Sequence, residues 1–114
     1  MEHRGIDETD RRVVVPDVTL AQLASGDRMS VQHYRFEPGA VVPEHRHEHE
    51  QAGFIHRGTL TFLLENGREV CATAGDGYVV PGEMAHRVEN RGDEPAEGVD
   101  VFSPPRAAPD WGTE

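Results

Sequence analysis

The chain is short of several residue types, and each shortage excludes something. Cysteine occurs once in 114 residues, as Cys71, so no disulfide can form within the chain. A lone cysteine in a strand-like stretch is expected to be a small buried hydrophobe, and Cys71 is given no role. Lysine is missing, and all 11 basic residues are arginine, against 21 acidic ones and a net charge of −10. Positive charge is too scarce for nucleic acid or an anionic membrane surface to be a partner. No apolar run approaches the roughly 20 residues that cross a bilayer. The opening MEHRGIDETDRR lacks the apolar stretch of a secretory signal, so a soluble protein of the cytoplasm is expected. No segment holds a 3.6-residue apolar period, which argues against helices.

What is present is punctuation. Twelve glycines and eight prolines separate short β-rich runs. Val13–Val15 is stopped by Pro16. Thr19 to Leu23 reads as a short strand or a helical turn. Met29–Phe36 is a longer strand stopped by Glu37-Pro38-Gly39. Phe54–Arg57, then Leu60 to Leu64, lead to Asn66-Gly67, which marks a tight hairpin because both turn positions tolerate positive φ. Glu69–Thr73, Tyr78–Val80, Arg87–Glu89 and Gly98–Phe102 complete the set. Such spacing predicts an all-β sandwich or barrel. The length allows one domain, over 13–106, with a mobile or edge tail at 1–12 and an irregular proline-rich tail at 107–114 that contains Trp111. So small a domain gains from an oligomer that covers further apolar surface.

Three of the seven histidines fall in HRHEHEQ, residues 45–51. On a strand, residues two apart share a face, so His45 and His47 can reach one metal ion. Gln51 and His49 have the same parity and stay open as ligands. A further ligand must come from elsewhere, and His86, just after Pro81-Gly82, is the best candidate. The competing possibility is a charged, solvated loop. His3 lies in the tail, and His33 and His56 sit singly on strands, where packing or an interface suits them better.

The spacings can be set against a known pattern. The first cupin motif, G-x5-H-x-H-x(3,4)-E-x6-G, is matched by Gly39, His45, His47, Gln51 and Gly58, with glutamine in the glutamate position. The second, G-x5-P-x-G-x2-H-x3-N, is matched by Gly75, Pro81, His86 and Asn90, with the glycine at 82 instead of 83. The chain thus resembles the small cupins. The resemblance implies an antiparallel jelly-roll β-barrel and one divalent metal ion held by His45, His47, His86 and Gln51. Zn, Ni, Mn and Fe all suit such a set. His49 is then no ligand, because the chain turns or bulges between His47 and Gln51. A neutral Gln51 leaves the ion its full charge, which weakens binding, strengthens the Lewis acid and suits an anionic substrate.

Residues 99–106 read VDVFSPPR, with Asp100 and Phe102 on one strand face. Taken alone, this is an edge strand with a solvent-facing Asp100 and a proline stop. Together with HRHEHEQ it resembles the KdgF-type pectin-degradation cupins, which convert 4,5-unsaturated uronates into linear ketonised sugars. That resemblance makes Asp100 the acid/base, Phe102 a pocket wall and Arg106 the binder of the substrate carboxylate. The alternatives on the same scaffold are a sugar isomerase, an iron dioxygenase, or a non-enzymatic binding module. Cupins commonly pair, and Ala52, Phe54 and His56 lie opposite the presumed inward Gln51, Gly53 and Ile55. A homodimer is therefore expected.

Overall fold

The computed structural model describes residues 1–106. The C-terminal stretch 107–114, with Trp111, lies outside the described residues. Ten strands follow one 3-10 turn at Ile6–Glu8: β1 (Arg11–Val15), β2 (Val18–Ser25), β3 (Ser30–Phe36), β4 (Val41–His45), β5 (Glu50–Arg57), β6 (Thr59–Leu64), β7 (Glu69–Thr73), β8 (Gly77–Val80), β9 (His86–Glu89) and β10 (Ala96–Ser103). The stretch Thr19 to Leu23 is strand, inside β2. The segment before β1 lies along β2, where Arg4 donates to the Leu23 carbonyl at 3.1 Å and Thr9 to that of Gln22 at 2.8 Å.

The strands form a six-stranded sheet, ordered β1-β2-β3-β10-β5-β8, and a four-stranded sheet, ordered β4-β9-β6-β7. Every ladder is antiparallel. The two sheets face each other as a jelly roll, with no α-helix over either among the described residues. No helix is long and apolar enough to cross a membrane among the described residues.

Strict alternation places the inward set. In β3 the buried residues are Ser30, Gln32, Tyr34 and Phe36, and in β10 they are Ala96, Gly98, Asp100 and Phe102. These pair across the ladder as Phe102 with Ser30, Asp100 with Gln32, Gly98 with Tyr34 and Ala96 with Phe36. In β4, β5 and β9 the inward polar positions lie toward one end of the interior. Gln51 precedes Ile55 in β5, His45 follows Val42 in β4, and His86 precedes Val88 in β9. The other end is a continuous apolar core that includes Val18, Leu20, Phe36, Val42, Ile55, Leu60, Phe62 and Val88. That core supplies the stability, at about 25 cal/mol per Å² of apolar area removed from water, and leaves the polar end free for chemistry.

Two local expectations are corrected. Asn66-Gly67 does turn the β6–β7 hairpin, but only Gly67 takes a positive φ, of 85°. The loop is longer than a two-residue turn and closes through Leu64 N–H to the Arg68 carbonyl at 2.9 Å. Asn66 instead accepts the Arg68 N–H on its side-chain oxygen at 2.9 Å, so it caps the turn without left-handed backbone. Cys71 is exposed, because β7 is the edge strand of its sheet and the inward position there belongs to Ala72.

Candidate metal centre and pocket

His45 is the last residue of β4, and its Cα pairs with that of His86, the first residue of β9. Two adjacent antiparallel strands thus present two imidazoles side by side, with ring centroids 4.3 Å apart. The shared strand face anticipated for His45 and His47 does not exist, since β4 ends at His45. His47 reaches the same place from the turn that follows, with its ring 5.5 Å from His45 and 5.3 Å from His86. The chain bends at Glu48 and His49 and re-enters the sheet at Glu50.

The imidazoles are oriented in one way. His45 Nδ1 bonds the Pro43 carbonyl at 3.0 Å, His47 Nδ1 that of His49 at 3.0 Å, and His86 Nδ1 that of Met84 at 2.8 Å. A carbonyl only accepts, so each Nδ1 carries the proton and each Nε2 keeps its lone pair. The three rings offer ligand atoms that all lie within 4.8 Å of one another. Burial, the largest cause, lowers the pKa of all three below the ordinary 6.5, to about 3 for His45 and about 4 for His47. All three are therefore neutral near pH 7, the form that binds a metal.

Gln51, on β5, is buried beside them. Its amide nitrogen donates to the Asp100 carboxylate. Its Oε1 is buried with no hydrogen-bond partner, and so is His47 Nε2. Buried polar atoms without partners are rare in proteins. Two on neighbouring ligand-type side chains fit a divalent ion with three imidazole nitrogens and one amide oxygen. His49 Nδ1 is the third such atom, but its ring stacks edge-on against His47 and Phe102 and is not among the three grouped imidazoles.

Asp100 and Phe102 point inward, 6 % and 1 % exposed. The reading of Asp100 as a solvent-facing edge residue fails because β10 is central, flanked by β3 and β5. Burial pushes the Asp100 pKa up to about 6, partly offset by hydrogen bonds from Tyr78 and Gln51 and by the Arg106 charge. Arg106 is 7 % exposed, with its guanidinium 4.9 Å over the Phe102 ring. Its backbone N–H donates to Ser30 Oγ at 2.9 Å, and Ser103 Oγ donates to the Arg28 carbonyl at 2.8 Å, so the segment after β10 is tied to the start of β3. His45, Gln51, His86, Asp100, Phe102 and Arg106 line one pocket, with Tyr34, Leu20 and Val88 among its apolar walls.

Two residues of this site carry no motif. Tyr78 donates to Asp100 Oδ1 at 2.6 Å and also lies 3.1 Å from the Tyr34 hydroxyl. Burial raises both phenols well above their usual pKa, so they act as neutral donors. The signal for them is indirect. Gly53 and Gly98 sit inside strands, and a Cβ at Gly53 would overlap the Tyr78 ring and the Asp100 carboxylate, while one at Gly98 would overlap the Tyr34 ring. A glycine in a strand interior marks such a close approach.

Asn90, the last motif residue, has a structural task. Buried to 1 % exposure, it donates to the Phe36 and Glu94 carbonyls at 3.0 and 2.9 Å and accepts Gly92 N–H at 2.9 Å.

A two-sheet jelly roll with an imidazole cluster between the sheets defines a class. The chain belongs to the cupin family, whose cupin domain matches residues 32–102. In fold it is similar to KdgF from Halomonas sp., with a TM-score of 0.83 and 27% identity, over 93% of this chain and 96% of that one. In sequence it is 33% identical over 81 residues to the tetracenomycin polyketide synthase protein TcmJ of Streptomyces glaucescens. That match takes in 70% of this chain and 54% of TcmJ, so the chain spans about half the length of the curated relative. The polyketide cyclase RemF from Streptomyces resistomycificus shares the fold at a TM-score of 0.80 and 18% identity, over 90% of this chain and 79% of that one.

Proposed function

We propose that this cupin is a metal-dependent enzyme that opens 4,5-unsaturated uronates to linear ketonised sugars. One observation carries the reading: a buried arginine and a buried carboxylate line the same pocket as the imidazoles of His45 and His86, with His47 packed beside those two rings. A divalent ion held by His45, His47, His86 and Gln51 would supply Lewis-acid polarisation of a sugar oxygen. The rest falls to the chain's own residues.

Arg106 grips the substrate carboxylate, and the two parallel N–H···O bonds such a pair can form also fix its orientation. The Phe102 ring beneath holds the guanidinium in place. With a net charge of −10 the molecule repels anions at long range, so this local cation is the group that admits one. Asp100 moves the proton. It takes one from the hemiacetal hydroxyl as the ring C–O bond breaks, and the resulting enol becomes a ketone when its carbon is protonated. The overall change is an isomerisation, with no oxidant and no net proton. A carboxyl of pKa about 6 has both protonation states accessible near neutral pH. Tyr78 and Gln51 hold that carboxyl in position.

The test is turnover of unsaturated galacturonate by the metal-loaded protein, followed by loss of the ultraviolet absorbance of its conjugated double bond. His86→Ala is the inactive control. Absence of turnover with any of Zn, Ni, Mn or Fe overturns the reading. The relation to TcmJ, a polyketide synthase protein, favours a second one, a reaction on a polyketide. It predicts turnover of a poly-β-ketone and none of the uronate.

We also infer that two copies pair through the outer face of the six-stranded sheet. Phe54 is 46% and Val79 61% exposed there, and Val99 and Val101 flank them.

A further inference from the structure

We propose that His33, His56 and Glu97 form a second divalent-metal site, on the outer face of the six-stranded sheet, for an ion of the zinc class. It is independent of the barrel site and of the reaction proposed for it. The three residues come from three neighbouring strands. His33 is on β3, Glu97 on β10 and His56 on β5. The β10–β5 register slips between Glu97 and Gly98, which pair with Arg57 and Ile55. His56 is the extra residue at that irregularity, and it ends on the same face as His33.

The geometry is that of a chelating set. His33 Nε2 and His56 Nε2 are 3.1 Å apart, and Glu97 Oε1 is 3.7 Å from His33 Nε2. One ligand atom from each of the three lies within 4.8 Å of the others. Two nitrogens bound tetrahedrally to zinc at roughly 2.0–2.1 Å sit about 3.4 Å from one another. The set closes on an ion without moving any strand. The two facing Nε2 atoms share one proton in a hydrogen bond, and a cation that both nitrogens can bind competes directly with that arrangement.

Charge is arranged to match. Glu97 Oε2 accepts from Arg35 at 3.1 Å and from Arg57 at 3.2 Å, which fixes the carboxylate and turns Oε1 toward His33. Each arginine also pairs with another carboxylate, Arg35 with Glu37 at 2.6 Å and Arg57 with Glu94 at 3.7 Å, so neither is left to repel a cation alone. Burial, the largest cause, holds His33 below its ordinary pKa, which keeps it in the metal-binding form. His56 is exposed in the single chain, where it gives an ion access, and it shares the outer sheet face with Phe54, across which two copies are inferred to pair. Bound there, the ion would clip β5 to β3 across β10 and stabilise the folded chain by mass action.

The test is zinc stoichiometry of the full chain by equilibrium dialysis, with cobalt absorption as a second readout. Wild type is expected to bind two equivalents, and a His33→Gln/His56→Gln variant one. A His45→Ala/His86→Ala variant is expected to keep one, with a raised melting temperature on adding zinc. If wild type binds a single equivalent that the His33→Gln/His56→Gln change leaves intact, the proposal is overturned. A second equivalent that survives that change also overturns it. If the barrel site itself takes no zinc, wild type binds one equivalent, and its loss in the His33→Gln/His56→Gln variant still supports the outer site.

Discussion

Arg106 and Gln51 each do one job that a single substitution can remove. Arg106→Ala deletes the carboxylate clamp but none of the metal ligands. With charge-assisted hydrogen bonds at about 1.5–3 kcal/mol each, kcat/KM for a uronate should fall by about tenfold to a hundredfold or more. The loss should lie mainly in KM, with metal content unchanged in dialysis. Unchanged turnover would remove Arg106 from the account. Gln51→Glu separates the two demands made on this position. A carboxylate should bind the ion more tightly, but it would face the buried Asp100, to which the amide now donates. Two carboxylates in contact raise one pKa. Tighter metal binding should therefore come with slower turnover and a pH–rate limb displaced upward. At this scale the candidate ligands were legible, because the motif spacings single out His45, His47, His86 and Gln51, and the fold groups the three imidazoles. Tyr34 and Tyr78 were not, since an aromatic residue on a strand is ordinary core material. His33, His56 and Glu97 lie far apart in sequence and meet only through the pairing of β3, β10 and β5.

Among the elements, β5 and β10 carry Gln51, Asp100 and Phe102, and their glycines show what that requires. Gly53→Ala would drive a methyl group into Tyr78 and Asp100. Overpacking of this kind costs about 1–3 kcal/mol. Urea denaturation should show that loss, and kcat should fall because Asp100 leaves its hydrogen bonds, while metal content stays near wild type. A Gly53→Ala variant with full activity would mean that the Tyr78–Asp100 bond is dispensable. The strands themselves were legible from turn residues and alternation, with β3, β7 and β8 anticipated to within one residue at either end. Their pairing was not. That β10 lies between β3 and β5, and β9 between β4 and β6, depends on side-chain packing between distant segments, which no local pattern encodes. The shared strand face for His45 and His47 failed for the same reason. Only the pairing with β9 shows that β4 stops at His45 and hands His47 to a turn.

For the whole molecule, two properties depend on sums over many groups. One is assembly: Phe54→Glu with Val79→Glu should turn a dimer into a monomer in sedimentation at micromolar concentration, and a monomeric wild type would refute the pairing. The other is stability against pH in the presence of a chelator. His45 and His47 have folded pKa values of about 3 and about 4, against an ordinary 6.5. Between those limits the unfolded chain binds more protons than the folded one, so their contribution is present above pH 6.5 and is lost as pH falls. His86 and His33 shift in the same direction. Asp100 works the other way. Its folded pKa of about 6 lies above the ordinary 3.8, so its contribution is full below 3.8 and is lost as pH rises through 6. Over the shared window the histidines outnumber it, and the metal-free protein should lose stability steadily as pH drops from about 6.5 toward 4. Asp100→Asn removes the opposing carboxyl while keeping an acceptor for Tyr78, so it should steepen the fall. A flat profile, or a slope unaltered by Asp100→Asn, would mean that the imidazoles or the carboxyl are not held in the buried, neutral-favouring surroundings on which the metal site and the proton transfer both depend.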